Sequence, residues 1–210
     1  MIFKQISSGG DRNFSYLIAS ENTREAALID PSPDPGKVIA AIEENINIRY
    51  IINTHSHFDH SGGNDYFSSG FKGEPVTFIN GGEEVNLEEG STIKLGGFSL
   101  EIIPTPGHTP DSICIKVGNM LITGDTLFVG KVGGTYGRQD AAAEFESIKK
   151  LMGLDPETEV WPGHDYGIRP YSTIGDELKE NPFLKRLDNF EDFLWLKENW
   201  AQYKIEHGIK

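Results

Sequence analysis

A single cysteine, Cys114, stands among the 210 residues, so no internal disulfide can form. That suits a reducing cytoplasm. Cys114 lies in "SICIKV", whose alternation reads as a strand, and a small buried core residue is expected there rather than a catalytic thiol. Long apolar runs are missing as well: nothing approaches the roughly 20 residues of a membrane helix. The opening "MIFKQISSGGDRNFSYLIAS" lacks the basic stretch and unbroken apolar core of a signal peptide, and a cytoplasmic location is the expectation. Basic residues are scarce, 19 Lys and Arg against 32 Asp and Glu, and they are scattered. The resulting net charge of −13 repels phosphate backbones and anionic membrane surfaces, so neither nucleic acid nor a membrane is an expected partner. There is no fixed-period repeat, no low-complexity linker and no "GxSxG" serine elbow.

What is present begins with three apolar runs, "IFKQI", "FSYLIAS" and "EAALID", read as strands joined by tight turns. A helix is expected from Pro35, capped by Asp34, with Val38, Ile39, Ile42 and Ile46 on one face. "RYIIN" then reads as a short buried strand. From about Val76 to Phe128 strand follows strand: "STIKL", "FSLEII", "SICIKV" and "NMLIT" are split by Gly-Gly, Pro-Gly and Gly-Asn turns. A helix is expected from Asp140, with Phe145, Ile148 and Met152 along one face and Gly153 ending it. "TEVWP" reads as a further strand. Residues 172–210 read as a helical appendage of one domain spanning 1–210.

Histidine is the informative residue. Six are present, and "THSHFDH" holds three of them beside an aspartate. Side chains two apart in extended chain point the same way, so His55 and His57 can grip one ion together. Asp59 and His60 follow as the chain turns, toward a neighbouring position. Imidazole and carboxylate donors suit Zn²⁺, Fe²⁺ or Mn²⁺ and not Ca²⁺. Seven residues offer too few ligands for two sites. Three further candidates each follow a strand and sit by glycine: His108 in "PTPGHTPDS", Asp125 in "LITGDTLF" and His164 in "VWPGHDYG". His207, near the chain end, has no such setting.

These residues, in this order, resemble the metallo-β-lactamase superfamily, through "HxHxDH" and its three downstream partners. The resemblance implies an α+β fold, a four-layer αββα sandwich with the metal site at one edge between the sheets. It implies a first metal held by His55, His57 and His108, a second by Asp59, His60 and His164, and Asp125 bridging them. Asp30, in "ALIDPSPD", matches a position that orients the ligands from behind. "GDTLFVG", "PGHDYG" and "STIGDELKENPF" are similar to the glyoxalase II and persulfide dioxygenase branch. The likeness covers about four-fifths of the chain. Both groups carry a "GCGK" or "GCGR" type segment after the bridging aspartate, whose basic residue helps hold glutathione's carboxylate. Here "GKVGGTYGR" stands instead, with Gly134 at that position. Lys131 and Arg138 are the candidate substitutes, and Tyr136 a candidate hydrogen-bond donor to substrate.

The resemblance implies a hydrolase of the glyoxalase II type, with two divalent ions, zinc first and iron or manganese as alternatives. Asp59 and Asp125 would act as ligands and orient the attacking group, and the substrate would be a small thioester or ester. The rival is a sulfur dioxygenase with a single Fe²⁺ held by His55, His108 and Asp125. A third class, a binding module with purely structural metal, expects closed four-coordinate sites, whereas seven ligands shared by two ions leave open positions. The C-terminal "FLKRLDNFEDFLWLKENWAQYK" repeats apolar residues at three and four and is expected to be helical, covering the sandwich. A wall of the substrate cleft and a homodimer interface are the other uses for its aromatic surface.

Overall fold

The computed structural model describes residues 1–68, 77–79 and 90–209. The strand-rich stretch expected from Val76 therefore starts outside the described residues. Along β2 (Asn13–Ala19), Tyr16 and Ile18 turn to one face while Leu17 and Ala19 turn to the other. Both sets are buried, which is why this strand reads as an unbroken apolar run. It lies between β1 (Ile2–Gly9) and β3 (Glu25–Ile29), both antiparallel to it. β4 (Asn47–Ile52) and β5 (Thr77–Ile79) extend the sheet in parallel, in the order β1-β2-β3-β4-β5.

The second sheet is a meander with one crossover. β6 (Thr92–Leu95), β7 (Phe98–Pro104), β8 (Ile113–Val117) and β9 (Met120–Gly124) pair antiparallel in succession. β12 (Glu159–Pro162) joins β9 in parallel, and the two-residue β13 (Ser172–Thr173) closes that edge. Between them a short hairpin, β10 (Leu127–Phe128) and β11 (Lys131–Val132), stands apart from both sheets.

Three apolar clusters fill the spaces these layers leave. Tyr16, Ile18, Ile52, Leu100, Ile102, Ile115 and Ile122 pack between the two sheets. Leu17, Leu28 and Ile51 pack outward against Val38 of α1 (Pro35–Ala41) and Phe67 of α3 (Asn64–Ser68). On the far side, Leu121 and Val160 meet Phe145 and Ile148 of α4 (Arg138–Leu151), Ile174 of α5 (Ile174–Glu180) and Phe193 and Leu196 of α6 (Phe190–Glu198). Helix, sheet, sheet, helix: this is the four-layer αββα sandwich. Cys114 belongs to the last cluster, fully buried, and that burial pushes its thiol up to about 12. Among the described residues no helix is long and apolar enough to cross a membrane.

Local boundaries differ from the sequence reading where a cap or pairing overrides periodicity. Asp34 caps α1 by accepting from the Gly36 N–H, but the helix ends at Ala41, Ile42 is extended, and Ile46 lies beyond it. Ile46 still joins the same core from the turn, so its burial mimicked helical spacing. α4 begins at Arg138, two residues before Asp140, because Gly137 (φ +125°) turns the chain there. Residues 172–173 pair as a strand before the helices start, and α7 (Trp200–His207) buries no residue fully. α6 is held mainly by Phe193, which touches Phe145 and Phe183 with ring centroids 5.3 and 5.8 Å apart. We expect Phe193→Ala to cost about 3–5 kcal/mol, read by urea denaturation; a cost under about 1 kcal/mol would mean that α6 packs only loosely.

Candidate metal centre

Each expected ligand stands where a strand ends and the chain turns. His55 and His57 follow β4, and His57 precedes the single turn α2 (Phe58–Ser61), which presents Asp59 and His60. His108 follows β7, Asp125 follows β9 and His164 follows β12. Close backbone approach makes this convergence available. A Cβ on Gly163 would lie 2.4 Å from Asp125 Oδ1 and 2.9 Å from His60 Cε1, so only glycine fits there. Gly124 (φ +48°) is equally constrained, since a Cβ would lie 2.4 Å from Thr54 Oγ1.

All seven side chains come together. His55, His57 and His108 form one group of converging donor atoms; Asp59, His60 and His164 form another; and His55, His60 and Asp125 share a third. Asp125 sits between the first two: Oδ1 is 3.3 Å from His60 Nε2, and Oδ2 is 3.4 Å from His164 Nε2 and 3.6 Å from His108 Nε2. Asp59 Oδ2 is 3.6 Å from His60 Nε2 and 3.4 Å from His164 Nε2.

Hydrogen bonds on the outer side decide which nitrogens face inward. His108 Nδ1 donates to the Gly134 carbonyl at 2.8 Å, and His164 Nδ1 to the Asp11 carbonyl at 2.8 Å. His60 Nδ1 donates to Asp30 Oδ2 at 2.9 Å. The Thr54 hydroxyl, which donates to Asp30 Oδ2 at 2.6 Å, is left to accept from His55 Nδ1 at 3.1 Å. Asp30 reaches these partners from a left-handed backbone (φ +49°), a region that aspartate tolerates better than most residues, and its Oδ1 also accepts from the Thr54 N–H at 2.7 Å.

With Nδ1 protonated, each of these four rings points an Nε2 lone pair inward. These nitrogens crowd: His55 Nε2 is 3.0 Å from His57 Nδ1, His108 Nε2 is 3.0 Å from the same atom, and His60 Nε2 is 3.1 Å from His164 Nε2. Among the described residues, buried Asp125 Oδ1 has no hydrogen-bond donor while the inward nitrogens are unprotonated. Lone pairs packed this closely, with an orphan carboxylate oxygen among them, call for cations, so the donor set fits divalent metal.

The electrostatics agree. Burial raises the Asp125 carboxyl, yet hydrogen bonds and charge from His164 and His60 hold it well below its ordinary range. Burial lowers His60, but Asp30 and Asp125 overcome that and hold it well above an ordinary imidazole; His164 is raised against burial by Asp125. His55 lacks such a partner, and burial followed by the charge of His60 drives it down to about 3. The carboxylates thus attract positive charge into the site, as protons when no metal competes.

A family model described as the metallo-beta-lactamase superfamily matches residues 8–84 and 68–164. The chain belongs to the metallo-beta-lactamase superfamily. Among curated superfamily members, the probable hydroxyacylglutathione hydrolase glo2 of Schizosaccharomyces pombe is 29% identical, with 84% of each chain covered. The human mitochondrial persulfide dioxygenase ETHE1 is 30% identical over 88% of this chain and 76% of its own. The crystal structure of ETHE1 from Myxococcus xanthus superposes with a TM-score of 0.83 at 30% identity, covering 95% of this chain and 91% of that one. The superfamily membership and the donor cluster make the protein a metal-dependent enzyme.

The expected substrate contacts do not join the cluster. Tyr136 is 83% exposed, and Arg138 pairs with Glu191 of α6 while lying over the Phe190 ring. Lys131 is half-buried, with Nζ 4.0 Å from the Tyr166 ring centroid and 4.9 Å from that of Phe128. It also lines a cavity of about 320 Å³ with Gly134, Phe183, Leu194 and Trp200. Several supports were invisible in the sequence. Asn13 Nδ2 donates to Asp59 Oδ2 at 3.0 Å, Asn53 Nδ2 holds the His60 carbonyl at 3.0 Å, and the Tyr166 ring stacks on His164 at 4.6 Å. Asp11 and Asn13 lie about the tip of the β1–β2 hairpin, and the Asp11 and Gly134 partners are backbone carbonyls, which no residue type announces.

In the metal-free protein Asp30 and Asp125 favour protonation of His60, and Asp125 favours it at His164, so metal must compete with protons for these rings. Adding Zn²⁺ to metal-free protein in weak buffer at pH 7 should release protons, and affinity should fall as pH falls. Calorimetry in buffers of different ionisation enthalpy measures this; no proton release would contradict the assignment.

Proposed function

We propose that the protein is a hydrolase of the glyoxalase II type, cleaving a small thioester or ester with two divalent ions, zinc by preference. The observation that carries this reading is the second donor group. Asp59, His60 and His164 converge beside Asp125; Asn13 donates to the Asp59 oxygen that faces the two rings, and Asp30 and the Asp11 carbonyl hold the outer nitrogens of His60 and His164. Three further converging donors supply a second position, and desolvating them without an ion costs free energy.

Ions held here supply a nucleophile from water at neutral pH and polarise a carbonyl oxygen. The residues do the rest. Asp125, buried between the two groups, holds the negative charge that keeps them together. Asp59, whose side chain is 42% exposed, faces the open side, its Oδ2 fixed by Asn13, and orients the attacking group. His55, His60, His108 and His164 act as ligands whose inward nitrogens are set by the outer contacts, and His57 is the fifth imidazole ligand. Asp30 keeps His60 in the tautomer it needs. Gly134 stands where relatives are expected to carry a glutathione-binding basic residue, which supports a substrate without glutathione's carboxylate, with Lys131 and Lys197 the cations lining the cavity. The surface charge supports a small-molecule substrate over nucleic acid or membrane.

The likeness to ETHE1 favours the second reading, a persulfide dioxygenase with one iron held by His55, His108 and Asp125. Metal analysis of protein purified without added metal separates the two, combined with thioester hydrolysis and oxygen uptake on glutathione persulfide. We expect about two zinc ions per chain, hydrolysis and no oxygen uptake; one iron with brisk uptake would overturn the hydrolase. His57→Ala should abolish hydrolysis, a fall of at least about 100-fold in kcat/KM, and near-normal turnover with intact metal content would refute the ligand assignment.

A further inference from the structure

Lys197, in the last turn of α6, is nearly buried and forms an ion pair with Glu144 of α4, which is fully buried. Neither residue lies in the donor cluster. Removing two charges from water is costly, and such a pair is often replaceable by apolar residues without loss of stability. Stability is thus a weak reason for the pair, and among the described residues Glu144 Oε1 has no hydrogen-bond partner.

The geometry around the pair supplies a reason. Lys197 Nζ also donates to the Gly133 carbonyl at 2.7 Å. The next carbonyl, of Gly134, is the one that accepts from His108 Nδ1 at 2.8 Å. From the other side, the turn carrying His108 rests on α4: a Cβ on Gly107 would lie 2.3 Å from Glu144 Cβ, and Ser147 Oγ donates to the Pro106 carbonyl at 2.8 Å. Gly133 is wedged in the same place, where a Cβ would lie 2.1 Å from the Asp125 carbonyl, 3.0 Å from Glu144 Oε1 and 3.2 Å from His108 Cβ. One ammonium therefore fastens the C-terminal helix, α4 and the glycine loop together, one residue from the carbonyl that sets the His108 ring.

We propose that Lys197 and Glu144 are positioning residues for the first metal position: the pair holds the Gly133–Gly134 carbonyls so that His108 keeps Nε2 unprotonated and aimed inward. The C-terminal helices are then a working part of the metal centre. The inference rests on reading the cluster as metal-binding, and not on which reaction the metals serve.

The test is cobalt titration of metal-free protein, which reads the two positions separately in visible absorption. Lys197→Met keeps the aliphatic stem and removes the ammonium. Lys197→Met combined with Glu144→Gln also removes the unpaired carboxylate, leaving a neutral pair that still cannot hold Gly133. We expect both variants to fold by circular dichroism. Cobalt should bind about 10–100-fold more weakly at the His55–His57–His108 position, with a shifted spectrum there and unchanged affinity at the Asp59–His60–His164 position. Parental affinity and spectrum at both positions in either folded variant would overturn the proposal. So would equal weakening of both positions, or failure of both variants to fold, since either makes the pair a support of the fold alone. A parent chain that takes up no cobalt would refute the metal reading itself, a separate result.

Discussion

The centre depends on one constraint: imidazoles can offer lone pairs to a common point only if their other nitrogens are occupied elsewhere. Four of the five rings meet it through Nδ1, on Thr54, Asp30, Gly134 and Asp11. Asp30 does the most. A single carboxylate, fully buried, binds the Thr54 N–H and hydroxyl as well as His60, and through that hydroxyl it also sets His55. Its left-handed backbone is the local cost of pointing one side chain at three partners.

The sandwich provides what this arrangement needs. Strands of two sheets end at the same edge, and side chains leaving successive strand ends converge without long loops. Glycine at 124 and 163 lets the ends approach until Gly124 meets Thr54 and Gly163 meets Asp125 and His60. The apolar layer between the sheets, running from Tyr16 to Ile122, keeps those ends rigid beneath the polar cluster. The outer helices do more than cover it. α4 carries the support of the His108 turn, and α6 brings Lys197 to the loop beside it.

The departures from the sequence reading share a cause. Ile46 followed helical spacing from Val38, yet Asp34 caps a helix of only seven residues, and the burial of Ile46 came from the turn beyond it. The surroundings of Arg138 and Tyr136, both expected to contact substrate, were equally hidden from position in the chain. Arg138 instead found Glu191 on α6, fifty-three residues away, and Tyr136 faces solvent. Spacing along the chain reports which residues are near each other locally. It carries no information on which distant charge will capture a guanidinium.

The convergence of these seven side chains was legible in the sequence. Its chemistry is written in residue types that are rare in this chain, placed after apolar runs and beside glycine, and the superfamily pattern assigned them to two positions. The layer order was implied by that same resemblance, while the apolar runs marked the strands, because burial on one face or two leaves a readable period. Only the tertiary structure decided the tautomers, the role of the first hairpin tip and the tie between α6 and the metal edge. Backbone carbonyls make those contacts, or side chains far apart in the chain, such as Asn13 with Asp59 and Lys197 with Glu144. A carbonyl is the same at every residue, so where it points is known only once the chain has folded around it.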